Sequence, residues 1–547
     1  MRTASSGQTK VSHRTHTLTV RSGDTTTTLA VESPMSVREA LDLTPLRVRA
    51  ACGGTGSCGA CAVRVLAGQT GPTTTAEYTR LTSEERADGL RLACQLRLDG
   101  DIEILLEHPA ARSAWTSIPP EDLSPLDAGL PDLQEHIYGV AVDLGTTHIR
   151  VSLLDRRRGR RLATRRGPNP QACYGADVLN RLAAARTRTH GNELANLARN
   201  AIIEAIHDML ARDVGEVTPM LTEIGHVVIA GNTAMLALLT GRGGEALLDP
   251  ENWQRAIDTH PPAALAWLAA WRMPNARIEV LPAVAGFVGS DLLADLLATG
   301  VTETPDPALL MDVGTNSEIA VWDGRTLYVT SVPGGPAFES GGIDHGMPAE
   351  AGAISAVRRS KGGTGLELDV IGGGKACGYC GSGLLDAIAI LLEAGVIKPS
   401  GRFSSQSPTE AYRLDPSNPH TAITGTTVDA FQRAKAATAA AIAVLLAQAG
   451  IGPDEISRLV VCGAFGRRLN VANARAVGLL PQSPAAVSLY AEATLAGCEK
   501  LLLAPQGRNV LPILAGHLRP LNLTLVVSYE DRYVDGLRLQ MMKTATS

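Results

Sequence analysis

Residues 17–20 alternate apolar and polar positions, a Ser22-Gly23-Asp24 turn follows, and residues 25–31 alternate again, which predicts a β-hairpin. Ser36 and Glu39 stand three apart at the head of an apolar stretch, a capping-box pattern that opens a short helix. A strand is expected over residues 62–66, and a further alternating stretch ends at Ile102 and Ile104. Between 109 and 135 the periodicity disappears, and Pro109, Pro119, Pro120, Pro125 and Pro131 read as a semi-extended tether that would let the first segment change position. Beyond it, an apolar run from Tyr138 ends at Asp143, a strand resumes over 148–154, and residues 155–161 turn the chain. The same succession returns later: an apolar run from Ala308 ends at Asp312, a strand resumes over 318–322, and an Asp323-Gly324 turn leads to another strand. This repetition predicts an internal duplication. A buried strand at 459–462 and an apolar helix through Leu384, Leu385, Ile388 and Leu391 complete the pattern.

At 547 residues the chain has room for three or four domains. The divisions expected are a disordered tail over 1–14, a first domain over 15–108, a linker over 109–137, and two lobes over 138–307 and 308–547. Apolar residues at 45% and charged residues at 19% permit large cores. Fifty basic against 55 acidic residues leave a net charge of −5, which argues against nucleic acid as a partner. Aromatics at 3% leave no stacking platform for single strands. The longest uncharged apolar run, 436–447, is too short to span a bilayer, so no membrane is expected. The N-terminus lacks the apolar core of a secretory signal; a frayed tail is expected there, with an organelle transit peptide as the alternative. Nine cysteines, clustered and odd in number, point to a metal site in a reducing, cytoplasmic setting.

Four of those cysteines carry the first chemistry. Cys52, Cys58 and Cys61 follow a C-x5-C-x2-C spacing on a glycine-rich loop, and Cys94 follows after 32 intervening residues. Three thiolates on one loop can wrap a small cluster, and the glycines bring backbone N–H groups close to the sulfurs. A [2Fe–2S] centre is the natural occupant. A four-cysteine zinc site is the alternative, although such sites usually use two C-x2-C knuckles.

The two D-x-G-T turns carry the second. In Asp143-Leu-Gly145-Thr146-Thr147 and Asp312-Val-Gly314-Thr315-Asn316, the glycine lets backbone N–H groups approach phosphate oxygens and the threonine adds a donor. The aspartate at each strand end can hold Mg²⁺, usually through water. Two facing hairpins can clamp a triphosphate from both sides. Gly463-Ala-Phe-Gly466, after the strand at 459–462, suits close approach by a nucleoside, with a tight strand-to-helix turn as the plainer explanation.

The cysteine loop resembles vertebrate-type and bacterial ferredoxins, best in Gly56-Ser-Cys58-Gly-Ala-Cys61, and carries one loop residue more than the plant-type spacing. The resemblance implies an α+β domain of the β-grasp type. From Tyr138 onward the motifs resemble the sugar kinase/heat-shock protein 70/actin (ASKHA) superfamily of ATPases. The first D-x-G-T looks like its first phosphate motif, the second like its second, Gly463-x-x-Gly466 like its adenosine motif, and the helix opened by Gly381-Ser-Gly383 like its first connecting segment. This implies a duplicated α/β, ribonuclease-H-like, actin-like region with ATP and Mg²⁺ between its lobes. A ferredoxin ahead of such an ATPase is similar to the ATP-dependent reductive activators of corrinoid proteins. Residues 169–171 with 175–178, 230–235 and 333–339 match that family too. The resemblance implies one-electron reduction of Co(II) to Co(I), with a corrinoid protein or corrinoid methyltransferase as partner and a reductase or ferredoxin as donor. A homodimer is an open option for its assembly. Two other classes stand beside this one: an activator of another low-potential enzyme of the dehydratase type, and an actin-like scaffold that does not hydrolyse ATP.

Several residues admit two readings. Cys377 and Cys380 form a lone C-x2-C that either holds a second cluster or packs small residues at the Gly381 turn. Asp177 stands near Mg²⁺ or on a helix surface, and Thr233 is a phosphate contact or a cap. Cys173, Cys462 and Cys498 read as buried apolar residues. Arg156, Arg157, Arg158, Arg160 and Arg161 read as the solvated face of a hairpin turn, or as a contact for an acidic protein.

Overall fold

The computed structural model describes residues 15–32, 35–42, 44, 46, 48, 56, 59, 61–107, 114–126, 136–175, 177–214, 217–262, 264–314, 316–332, 343–347, 349–360, 365–404, 411–463, 465, 467–483, 486–503 and 507–542. Two compact units result: residues 1–117 with 207–217, and residues 118–206 with 218–547.

In the first unit, β1 (Thr15–Ser22) and β2 (Thr25–Glu32) form the expected hairpin. The predicted capping box is present: the Ser36 N–H donates to Glu39 Oε2 at 2.6 Å, the Glu39 N–H donates to Ser36 Oγ at 3.2 Å, and the helix Val37–Asp42 follows. The strands β3 (Ala62–Thr70), β4 (Leu90–Leu92) and β5 (Leu98–Leu105) complete a sheet of order β2-β1-β5-β3-β4. β1 and β5 run parallel at its centre, Leu18 beside Ile102 and Val20 beside Ile104, and the other pairs are antiparallel. Because side chains alternate along a strand, these four residues share one face and one core with Val37 and Leu41 of the helix. Each such buried aliphatic side chain contributes about 1.5–3 kcal/mol.

One ion pair ties the helix Thr75–Arg80 to β4, the strand that leads to Cys94. Glu77, on the helix Thr75–Arg80, is fully buried and takes Arg91 Nε at 2.8 Å and Nη2 at 3.1 Å, together with the Leu92 N–H at 3.0 Å. Arg91 also donates to Thr70 Oγ1, Gly71 O and Pro72 O. The pair is buried but every donor has a partner, the condition under which such a pair holds.

The second unit contains the duplication. β6 (Tyr138–Leu144), β7 (His148–Asp155) and β8 (Arg160–Pro168) form an antiparallel meander, and β9 (Ile224–Gly231) and β10 (Arg277–Val280) add in parallel on the far side of β6, giving the order β10-β9-β6-β7-β8. β11 (Ala308–Val313), β12 (Ser317–Trp322) and β13 (Leu327–Val332) repeat the meander. A three-stranded sheet of β14 (Ala353–Arg359), β15 (Leu366–Val370) and β16 (Gly378–Tyr379) and a hairpin of β17 (Ala411–Arg413) and β18 (Ala422–Thr424) intervene. Then β19 (Arg458–Gly463) and β20 (Val487–Leu489) add in parallel beside β11, and β21 (Leu518–Pro520) extends the far edge, giving β20-β19-β11-β12-β13-β21. The first five positions of the two sheets have the same order and the same strand directions.

β11 is apolar at every position from Ala308 to Met311 because both its faces are covered. Leu309 and Met311 enter a core with the helices Gly381–Glu393 and Gly425–Ala449, while Ala308 and Leu310 enter another with the helices Ser290–Thr299 and Ala493–Leu503. That second core also takes Ala141 and Val228 of the first sheet. The two helices within it touch closely: a methyl at Gly497 would collide with the backbone carbonyl of Ala294. The helix Gly425–Ala449 is long and apolar enough to cross a membrane, but most of it lies inside the unit.

The stretch expected as a tether is held in part. The Ile118 N–H donates to Thr164 Oγ1 at 3.1 Å, Arg161 Nη2 donates to Ser124 O at 3.1 Å, and Asp122 pairs with Arg467. Lacking periodicity of its own, this segment is fixed by single side chains and carbonyls rather than by a regular element.

Candidate functional site

Cys61 precedes β3 and Cys94 lies in the turn after β4, and the pairing of those strands brings them together. The Ala93 N–H donates to Cys61 O at 2.9 Å, and the two sulfurs lie 3.4 Å apart. That is too far for a disulfide at about 2.05 Å and close to the roughly 3.7 Å expected of two sulfurs on one tetrahedral metal with bonds of about 2.3 Å. Gln95 Nε2 stands 3.5 Å from Cys94 Sγ. Gly56, in the cysteine loop, has φ +81°, and a methyl there would meet the Ala76 side chain, so the loop needs glycine for both conformation and space. The residues described fit an iron–sulfur centre. Cys52 and Cys58, the other two predicted ligands, lie outside the described residues. Burial alone would push the Glu77 carboxyl up, but hydrogen bonds from Arg91, Thr74 and Leu92 outweigh it and hold the carboxyl below its usual range, which keeps the helix Thr75–Arg80 ion-paired to β4, the strand before Cys94, at neutral pH.

In the second unit both D-x-G-T turns open onto one cleft. Asp143, Gly145, Thr146 and Thr147 line it from the β6–β7 hairpin, Asp312, Gly314 and Asn316 from the β11–β12 hairpin, and Gly463 from the end of β19. Gly463 has φ +72°, and a Cβ there would strike the carboxylate of Asp312, so glycine is what lets β19 end beside the second hairpin. Thr315 and Gly466 lie outside the described residues. Sequence reasoning missed Asp291, Glu318, Arg150 and Glu492, which also line the cleft. Asn232 caps the helix Thr233–Thr240 and donates to Thr146 Oγ1 at 3.0 Å, so it positions the first threonine.

The cleft is strongly acidic. Asp143, Asp291, Asp312, Glu318 and Glu492 face a single guanidinium among the described lining residues, that of Arg150. Arg150 Nη1 lies 3.1 Å from Asp143 Oδ2, and Arg150 also pairs with Glu492. Burial, opposed by Arg150 and aided by the charges of Glu492 and Asp312, raises the Asp143 carboxyl to about 7. Burial and the Asp312 charge raise Asp291, and burial followed by neighbouring aspartates raises Asp295 and Glu318. His148 is pushed down to about 3 by burial, then by Arg150 and Arg166, and so is neutral. This excess of buried acid suits a divalent cation. Among the described residues, no three His, Cys, Asp or Glu side chains converge to hold one alone. A Mg²⁺ ion here would therefore need oxygens brought by a phosphate ligand.

Comparisons with known proteins match three successive stretches of the chain. A model of the 2Fe-2S iron-sulfur cluster binding domain matches residues 20–99, a model of the RACo middle region matches 138–304, and a model of the C-terminal domain of RACo, the ASKHA domain, matches 306–546. The chain thus carries the middle and C-terminal RACo domains behind a 2Fe-2S domain. Among its relatives, the corrinoid activation enzyme RamQ of Eubacterium limosum is 30% identical over 64% of this chain and 61% of its own length. The [Co(II) methylated amine-specific corrinoid protein] reductase of Methanosarcina barkeri is 26% identical over 67% of this chain and 70% of its own length. The solved structure of a reductive activator for corrinoid, iron–sulfur protein shares the fold, with a TM-score of 0.64 and 24% identity, covering 96% of this chain and 99% of that one.

Within the RACo region some sequence expectations need correction. The helix opened by Gly381-Ser-Gly383 is not a connecting segment between the two sheets. It packs on β14, where a methyl at Gly383 would meet Ile354 O. The elements between the sheets are the helices Ser290–Thr299 and Ala493–Leu503, which bring Asp291, Ala493 and Thr494 into the cleft. Cys380 is buried with its sulfur 3.2 Å from Ser382 Oγ, at the Gly381 turn, while Cys377 is exposed. Cys173 is exposed on a short turn rather than buried; Cys462 and Cys498 are buried as expected. The arginine-rich turn is not simply a solvated face, since Arg161 forms a two-point pair with the fully buried Glu499 and Arg156 donates to Leu502 O. Asp177 caps the helix Val178–Ala185 and does not line the cleft. Thr233 donates its hydroxyl to Ala285 O at 2.9 Å, and the cap is the neighbouring Asn232.

Proposed function

We propose that this chain is an ATP-dependent reductive activator of a corrinoid protein, working in the cytoplasm. It accepts an electron from a reductase or ferredoxin at a [2Fe–2S] centre held by Cys52, Cys58, Cys61 and Cys94. It then reduces Co(II) to Co(I) in the corrinoid of a partner protein, restoring the state needed for methyl transfer. The observation that carries this reading is the joining, in one polypeptide, of a 2Fe-2S domain to a RACo region whose two D-x-G-T hairpins line one cleft. Relatives named for corrinoid activation and Co(II) reduction support it.

The residues of the cleft are given the following roles in this reading. The Gly145 and Gly314 turns would offer backbone N–H groups to phosphate oxygens, Thr146, Thr147 and Asn316 would add side-chain donors, and Gly463 would leave room for the nucleoside, with Thr315 and Gly466 assigned to the same site from the sequence motifs alone. Asp143 and Asp312 would hold Mg²⁺ through water, and that ion would neutralise phosphate charge in the acid-rich cleft. For one electron about 59 mV corresponds to about 1.4 kcal/mol, so an uphill gap of roughly 200 mV is about 5 kcal/mol, within reach of a nucleotide-driven population shift.

The test is the visible spectrum of a Co(II) corrinoid protein mixed with the reduced chain, with and without Mg-ATP, alongside iron analysis. The Co(I) band is expected only with ATP, with two irons per chain, and Cys58→Ser should abolish both the iron and the band. Equal Co(I) formation without ATP, or full activity in Cys58→Ser, would overturn the reading.

A further inference from the structure

We propose that Arg150 is the nucleotide-sensing residue of the cleft, joining the first phosphate hairpin to the helix Ala493–Leu503 through Glu492 and exchanging Asp143 for the terminal phosphate of a bound triphosphate. The inference rests on the nucleotide reading above and extends it to how binding reaches the connecting helices.

Three observations carry it. Arg150 is the one guanidinium among the described lining residues, and it holds two carboxylates from distant parts of the chain. The two hairpins, otherwise alike, differ at this position: Asp143 pairs across the strands with Arg150, whereas Asp312 pairs with Glu318. A cation is thus built into one phosphate turn only. Finally, Glu492 sits immediately before the helix Ala493–Leu503 with φ +50°, a left-handed conformation unfavourable for a residue with a side chain. A glutamate persists there only if something outside the backbone over-determines it, and its ion pair with Arg150 is such a constraint.

The consequence is a two-position device. Without nucleotide, Arg150 neutralises Asp143 and Glu492 together. A phosphate oxygen is a stronger partner for a planar guanidinium than a carboxylate already shared, and Mg²⁺ arriving with the nucleotide takes over the charge of Asp143. Arg150 then moves toward the phosphate, and the constraint on Glu492, and so on the start of the helix that touches Ala294 through Gly497, changes with it. ADP, lacking the terminal phosphate, would draw Arg150 less.

The experiment uses the full chain and non-hydrolysable ATP and ADP as probes, with affinity by calorimetry and backbone hydrogen exchange over residues 493–503. Wild type should prefer the triphosphate and change its exchange in that helix on binding it. Arg150→Met should weaken the triphosphate about 10- to 100-fold, change ADP affinity by less than about threefold, and lose the exchange response. Arg150→Lys should recover part of the affinity. Glu492→Gln keeps Arg150 beside Asp143, so it should retain the triphosphate preference and lose the exchange response; this arm decides the matter if Arg150→Met does not fold. Equal weakening of both nucleotides in Arg150→Met, or an unchanged exchange response in Glu492→Gln, overturns the proposal. Failure of wild type to bind either nucleotide would instead remove the nucleotide reading itself.

Discussion

Asp143 and Arg150 face each other across the first hairpin at 3.1 Å, while Asp312, at the corresponding place in the second, faces Glu318. The duplication has kept the strand plan and let the charges diverge. One turn is close to neutral and the other is a pocket of carboxylates, where burial and the Asp312 charge raise both Asp291 and Asp295 on the helix Ser290–Thr299.

That crowding predicts the effect of Asp312→Asn. Removing one charge from a buried acidic group relieves repulsion, so the unit should become more stable, by about 1 kcal/mol and visible as a higher Tm at pH 7.5. Nucleotide hydrolysis should fall at least 100-fold. A variant that is both less stable and fully active would contradict the role given to Asp312.

The Glu77–Arg91 pair sets the acid limit of the iron–sulfur unit. Because the folded carboxyl is held below its unfolded value, the stability it supplies is present above about pH 4.3 and is lost as pH falls through the lowered folded value. Glu77→Ala leaves Arg91 buried beside three carbonyl and hydroxyl partners and should destabilise that unit by about 3 kcal/mol. Its acid unfolding should also lose the wild-type dependence in that range, as followed by circular dichroism.

Gly497 is the tightest point between the two connecting helices. Gly497→Val must force them apart, and we expect a loss of about 2–3 kcal/mol together with weaker nucleotide binding, since Ala493 and Thr494 of the same helix line the cleft. Gly516→Ala, where a methyl meets nothing, is the control: it should leave the affinity unchanged and, as a helical Gly→Ala, hold or raise stability by up to about 1 kcal/mol.

Lys435 is buried on the helix Gly425–Ala449 and donates to the carbonyls of Gly536 and Arg538, closing the end of the helix Ser528–Gly536. Burial lowers it to about 8. The unfolded chain therefore binds this proton more tightly, and wild-type stability should rise between about pH 8 and pH 10.4, a slope that Lys435→Met should lack. At pH 7 the variant should be less stable by about 1–3 kcal/mol, because two carbonyls lose their donor.

What the sequence disclosed and what it hid divide along chain distance. The hairpin at Asp143, the turn at Asp312, the Ser36–Glu39 cap and the cysteine spacing are local, and each was legible because a few consecutive residues fix its geometry. Asp291 and Glu492 were not, since each stands beside a helix start that reaches the cleft only through packing. Arg150 was within reach once β6 and β7 were paired, as the register sets it opposite Asp143. The connecting helix was misplaced because Gly381-Ser-Gly383 advertises a close crossing more loudly than the single Gly497 inside an apolar helix. Both crossings exist, and only the fold distinguishes their partners. Cys173 was misjudged for a related reason: a small sulfur side chain says nothing of which side of a turn it occupies.

The helix Ala493–Leu503 comes from near the end of the chain yet packs on β6, β7 and β9, strands formed from residues 138–231. The ribosome thus releases the first of the duplicated sheets long before the element that covers it. A fragment ending at residue 304 would carry a naked apolar face, so the seam between the matched middle and C-terminal regions is not a place where the polypeptide can be cut into two soluble halves.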